Sequence, residues 1–67
     1  MNPYDIQEAI KKAGHIQASI ARKLRVSRTA VTYVVRGDSN SKSKRIAKTI
    51  AAITGKSLNE LWPGLYV

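Results

Sequence analysis

The sequence predicts an all-α fold, a compact bundle of about five short helices. Three observations carry that reading. Apolar residues recur at helical spacing in successive segments, and the segments end at glycines or polar turns. An apolar content of 43% is also too high for a disordered chain. Sixty-seven residues are read as one domain, 1–67, with nothing appended.

The first helix opens at Asn2-Pro3, an Asx cap followed by proline at the first helical position. Ile6, Ala9, Ile10 and Ala13 form its apolar stripe. Asp5 and Glu8 sit in the first turns, Lys11 and Lys12 close the helix, and Gly14 supplies a left-handed stop. His15 is expected to cap the next helix or to face solvent. That second helix spans about Gln17 to Leu24, with Ile20, Ala21 and Leu24 inward and Arg22 and Lys23 outward.

Arg25-Val26-Ser27 breaks the pattern, and Ser27 then caps a third helix that reaches Arg36 and ends at Gly37. Its run Thr29-Ala30-Val31-Thr32-Tyr33-Val34-Val35 is rich in β-branched residues and by propensity alone reads as a strand. The shortness of the preceding break and the lack of a partner strand decide for helix. Residues 37–43 form a polar loop. A fourth helix runs from Ser43 or Lys44 to Ile53, with Ile46, Ala47, Ile50 and Ile53 inward, and stops at Gly55. Ser57-Leu58-Asn59-Glu60 is a capping box that opens a short fifth helix ending at Trp62-Pro63. Trp62 is read as a core plug. The apolar tail Leu65-Tyr66-Val67 either associates with a second copy or folds back onto the core.

Twelve Lys and Arg against four Asp and Glu leave a net charge of +8. Nine of the cations lie between Arg22 and Lys48, where Asp38 is the only acid, so that stretch carries the whole net charge and both ends are neutral. The plain explanation is a solvated face that keeps the chain soluble. Its confinement points instead to an anionic partner, nucleic acid before an anionic membrane. There is no cysteine for a disulfide framework, and a single histidine cannot build a His-based metal site. The four acids are scattered, and no phosphate-binding loop is present, so no enzyme activity, cofactor or metal is expected. No apolar run has membrane-spanning length and no export signal opens the chain, which reads as cytoplasmic with no membrane partner.

Gln17 to Arg36 is the informative window, because helix, short turn and second helix make up the helix-turn-helix unit. Ala21 supplies the small residue where the second helix passes close to the first. Ile20, Leu24, Val26, Val31 and Val34 fall where the wedge between them must be filled. Arg28, Thr29, Thr32, Tyr33 and Arg36 form the opposite, polar face, with Ser27 at its start. With Gly37, Gly55 and Ser57-Leu58-x-x-Leu61, these residues resemble the lambda-repressor-like family of phage and bacterial DNA-binding domains over nearly the whole chain. Ile46-Ala47 and the ending Leu61-Trp62-Pro63…Tyr66 look like the small Ner-like phage regulators. One position departs from the family pattern. The turn residue that is usually glycine is Arg25, which in a left-handed conformation costs on the order of 1 kcal/mol more.

The resemblance implies that residues 27–36 lie in the major groove, with Ser27, Arg28, Thr29 and Thr32 reading bases. Arg28 is the sharpest candidate, since a guanidinium pairs bidentately with guanine O6 and N7. Gln17 would anchor a phosphate, while Arg25, Tyr33, Arg36, Lys42, Lys44 and Arg45 would hold flanking phosphates. The function so implied is a sequence-specific double-stranded DNA-binding transcriptional regulator, a repressor of phage or prophage type. One recognition helix reads only about four to six base pairs, so a homodimer is expected at least on DNA. Two alternatives stand beside it. One is a non-specific basic nucleic-acid-binding or architectural protein, against which the scattered Tyr4, Tyr33, Trp62 and Tyr66 count. The other is a DNA-binding accessory protein such as an antitoxin or excision factor.

Overall fold

The computed structural model describes residues 1–38 and 43–66. Among these there are five helices and no strand: α1 (Pro3–Lys12), α2 (Gln17–Leu24), α3 (Arg28–Arg36), α4 (Lys44–Thr54) and α5 (Leu58–Leu61). Helix α3 is the hub, packed against α1, α2 and α4, while α5 packs on α4. The core joins Ile6 and Ile10 of α1 to Ile20 and Ala21 of α2, Val31, Val34 and Val35 of α3, Ile46, Ala47 and Ile50 of α4, and Leu61 and Trp62.

The β-branched run is helical, and the energetics explain why. Each valine or threonine in a helix gives up less than about 0.7 kcal/mol relative to alanine. Val31, Val34 and Val35 are each no more than 1% exposed. Fully burying a valine contributes about 1.5 kcal/mol or more, so tertiary packing wins. Ser27 secures the start, its Oγ accepting the Ala30 N–H at 3.1 Å.

One device ends three successive helices. After α1, the Gly14 N–H donates to Lys11 O and the His15 N–H to Ile10 O. After α3, the Gly37 N–H donates to Val34 O and the Asp38 N–H to Tyr33 O. The same pair closes α2, from Arg25 to Arg22 O and from Val26 to Ala21 O. The residue at the pivot has positive φ each time: Gly14, Gly37 and, alone among non-glycine residues described, Arg25 at +56°.

Several expectations need correction. Ala13 leaves the inward stripe and is exposed, because it caps α1 with a non-helical ψ of 0° just before the chain reverses. His15 does not cap α2. The cap residue is Ile16, whose N–H donates to Ser19 Oγ at 3.1 Å while that hydroxyl donates back to Ile16 O at 2.8 Å. Of the two readings of the tail, folding back holds for the described residues: Leu65 and Tyr66 are half-buried against the core, and Tyr66 meets Trp62 edge-on at 5.5 Å. Val67 lies outside the described residues, as do Ser39 to Lys42.

The Tyr66 hydroxyl is buried beside the Ser43 backbone without a hydrogen bond of good geometry. Burial pushes its pKa above the usual tyrosine value, the Ser43 backbone pulling weakly the other way. A folded-state value above the unfolded one gives stability that is complete below about pH 10 and lost as pH rises through the folded value. Tyr66→Phe is therefore expected to shift the alkaline unfolding midpoint upward, as read by circular dichroism against pH.

Candidate nucleic-acid interface

Helix α3 presents Arg28, Thr29, Tyr33 and Arg36 to solvent while its valines face the core. Tyr33 is 38% exposed, so its side chain is partly covered. Thr32 differs from its neighbours. It is half-buried and turned toward the start of α2, where its hydroxyl lies 2.8 Å from Gln17 Oε1. Ser27 is exposed, and its hydroxyl proton remains free to donate after the oxygen has capped α3.

Between the end of α1 and the starts of α2 and α3 lies an open cavity of about 410 Å³, lined by Lys11, Ile16, Gln17, Arg28 and Thr32 among others. Two of these residues were not singled out in the sequence. Lys11 serves the dipole of α1 and is balanced in the charge count by nearby acids, which conceals that it shares a cavity with Arg28. Ile16 is 56% exposed on the rim of the same cavity. An apolar residue directly before Gln17 is the only signal for it in the sequence.

Helix polarity separates this side of the molecule from the rest. The first turns of α1 and α5 carry Asp5 and Glu60, as the helix dipole favours. The first turns of α2, α3 and α4 carry no acid, and α3 and α4 begin with the cations Arg28, Lys44 and Arg45. A cation at a helix start is locally unfavourable by about 0.3–1 kcal/mol. Such a violation is expected where an anion is to be bound.

Not every predicted phosphate contact lies near Gln17. Arg25 and Arg45 stand together at the opposite end of α2, a helix about 12 Å long. Arg45 Nη2 donates to the Leu24 carbonyl at 3.0 Å, satisfying an acceptor that the helix end leaves open. Lys44 and Arg36 are exposed, and Lys42 lies outside the described residues.

A family model described as helix-turn-helix matches residues 6–61. The chain belongs to the helix-turn-helix family. No curated protein and no solved structure matches it. The family, of lambda-repressor-like kind, is one of DNA-binding regulatory domains, so this chain is a DNA-binding transcription regulator of the helix-turn-helix type. Among the described residues no helix is long and apolar enough to cross a membrane, and no group of three or more His, Cys, Asp or Glu is placed to hold a metal ion.

In this helix-turn-helix protein α2 and α3 are the paired helices and Arg25-Val26-Ser27 is the turn. Its αL residue carries the backbone strain that glycine would relieve. Arg25→Gly is expected to stabilise the fold by on the order of 0.5–1 kcal/mol, a Tm rise of roughly 3–6 °C in a thermal melt.

Proposed function

We propose that this helix-turn-helix protein is a sequence-specific double-stranded DNA-binding repressor of phage or prophage type, acting by occupying a promoter with α3 in the major groove. One observation carries the reading. The solvent face of α3 places Arg28 and Thr29 in its exposed first turn, on a helix whose other face is locked into the core by three valines. Ser27, Arg28 and Thr29 read base edges from that turn, with Arg28 bidentate on a guanine. Gln17, Tyr33, Arg36 and Lys44 hold phosphates on either side, and Lys11 joins them from α1. Arg25 and Arg45, at the far end of α2, have a weaker claim to a phosphate. The likeness of Leu61-Trp62-Pro63 and Tyr66 to small Ner-like regulators supports the phage assignment. Useful specificity calls for two copies on half-sites about 34 Å apart, or a multiple of that.

Selection from a random duplex pool, with single-stranded DNA and RNA as competitors, tests this directly. The expected product is a motif with two-fold symmetry that is bound far more tightly than bulk duplex. Recovery of no motif, or equal competition by RNA, favours a non-specific basic binder instead.

A further inference from the structure

We infer that Thr32 is a positioning residue, whose hydroxyl holds the Gln17 side-chain amide so that its N–H groups face a DNA backbone phosphate in the cavity between α1, α2 and α3. The inference rests on the DNA-binding reading of this protein and gives Thr32 a task other than reading bases.

The Thr32 hydroxyl lies 2.8 Å from Gln17 Oε1 and 3.0 Å from the Arg28 carbonyl oxygen. A hydroxyl has one proton, so these two acceptors compete for it. The shorter contact, to Gln17, takes it, and the Arg28 carbonyl is only a close neighbour in the rotamer that a helical threonine uses for back-bonding. The contact with Gln17 crosses to α2 and ties the recognition helix to the start of its partner. With Oε1 engaged as an acceptor, the end of the amide left over is Nε2, which carries two donors and no acceptor. A phosphate oxygen complements that end. The reversed amide would turn its carbonyl oxygen toward the phosphate and repel it.

The surroundings agree in sign. Lys11 and Arg28 line the cavity and no acid does. The first turn of α2, which opens on the same cavity, also lacks an acid. A glutamine already held in place loses less rotamer freedom when it binds than one that must be ordered at that moment. Thr32 is half-buried, whereas Arg28 and Thr29 one turn earlier are exposed, so the base edges are left to them.

The test is a double-mutant cycle on the duplex that the wild-type chain selects, combined with a scan of single methylphosphonate substitutions along it. Thr32→Val and Gln17→Ala are each expected to weaken binding roughly threefold to tenfold, the range one net hydrogen bond supports. The double variant is expected to be no weaker than the worse single variant. One phosphate in each half-site, the one Gln17 contacts, penalises wild type when neutralised and becomes silent in both single variants, while the other phosphate positions keep their effects. Thr32→Ser, which restores the hydroxyl and removes the methyl group, recovers both the affinity and that phosphate's signal. Additive losses, an unchanged phosphate profile in Thr32→Val, or a changed base preference in Thr32→Ser would each overturn the assignment. If Thr32→Val fails to fold, Thr32→Ala carries the same comparison. The wild-type arm reads the parent proposal separately. A chain that selects no sequence loses its role as a specific regulator, and the same cycle on bulk duplex still decides the role of Thr32.

Discussion

Trp62→Ala is expected to leave the protein largely unfolded at room temperature. Trp62 is 5% exposed and closes the core behind α3, where its ring edge lies 3.4 Å from the point a Cβ on Gly37 would occupy. Its Nε1–H donates to the Val35 carbonyl at 3.2 Å, across 27 residues of chain. That carbonyl lies in the last turn of α3, where no N–H further along the helix can reach it, so Trp62 supplies the partner the helix lacks. Truncation of a buried tryptophan costs about 3–5 kcal/mol through lost burial and the cavity left behind. A domain of this size has only about 5 kcal/mol or so in total. Trp62→Phe separates the two contributions. It retains a buried ring and loses the donor, so its cost should be nearer 1–3 kcal/mol, the penalty of an unsatisfied buried acceptor plus a smaller ring. Urea denaturation followed by circular dichroism checks both values. Equal stability of Trp62→Ala and wild type would mean that α3 is held by α1, α2 and α4 without the indole.

The helix order and most helix ends were legible in the sequence because they are set by neighbours in the chain. Asn2, Ser27 and Ser57 each cap a helix through a backbone N–H three residues further on, and Gly37 and Gly55 each end the helix directly before them. The cap of α2 escaped because it is inverted. Serine stands three residues inside the helix at Ser19, reaching back to Ile16, and the polar residue nearest the expected position was His15. The candidate site was legible as a face of α3, since helical spacing alone separates Arg28, Thr29, Tyr33 and Arg36 from the valines. What joins that face to the rest was not. The Thr32–Gln17 contact spans 15 residues and the Arg45–Leu24 contact spans 21, distances at which no local pattern fixes which side chains meet. Lys11 escaped for a related reason: a charge count along the chain assigns it to the neutral first helix, whereas packing of α1 brings it to the cavity that Arg28 also lines.

Arg28→Ala is expected to move stability and binding in opposite directions, which a residue placed for structure alone would not do. Arg28 is the first residue of α3, is exposed, and forms the positive end of a helix whose first turn holds no acid. Its removal relieves an unfavourable charge–dipole interaction by about 0.3–1 kcal/mol and leaves the Ser27 cap intact, so the melting temperature should stay level or rise by a few degrees. Affinity for the selected duplex should fall roughly tenfold to a hundredfold per half-site, the range of one bidentate arginine–guanine pair of about 1–3 kcal/mol. Binding to bulk duplex should fall much less, because it reflects summed phosphate contacts to which Arg28 adds at most one. The preference for guanine should be lost at one position per half-site and kept at the others. Arg28→Lys separates charge from geometry: an ammonium restores the attraction to DNA without the planar fork, so it should recover bulk affinity more fully than base preference. Titrations of both variants on the selected duplex and on single-base changes of it read all of these together. If Arg28→Ala retained the full preference, base reading would have to come from Ser27, Thr29 or Tyr33, and the cation at the head of α3 would be a phosphate contact only.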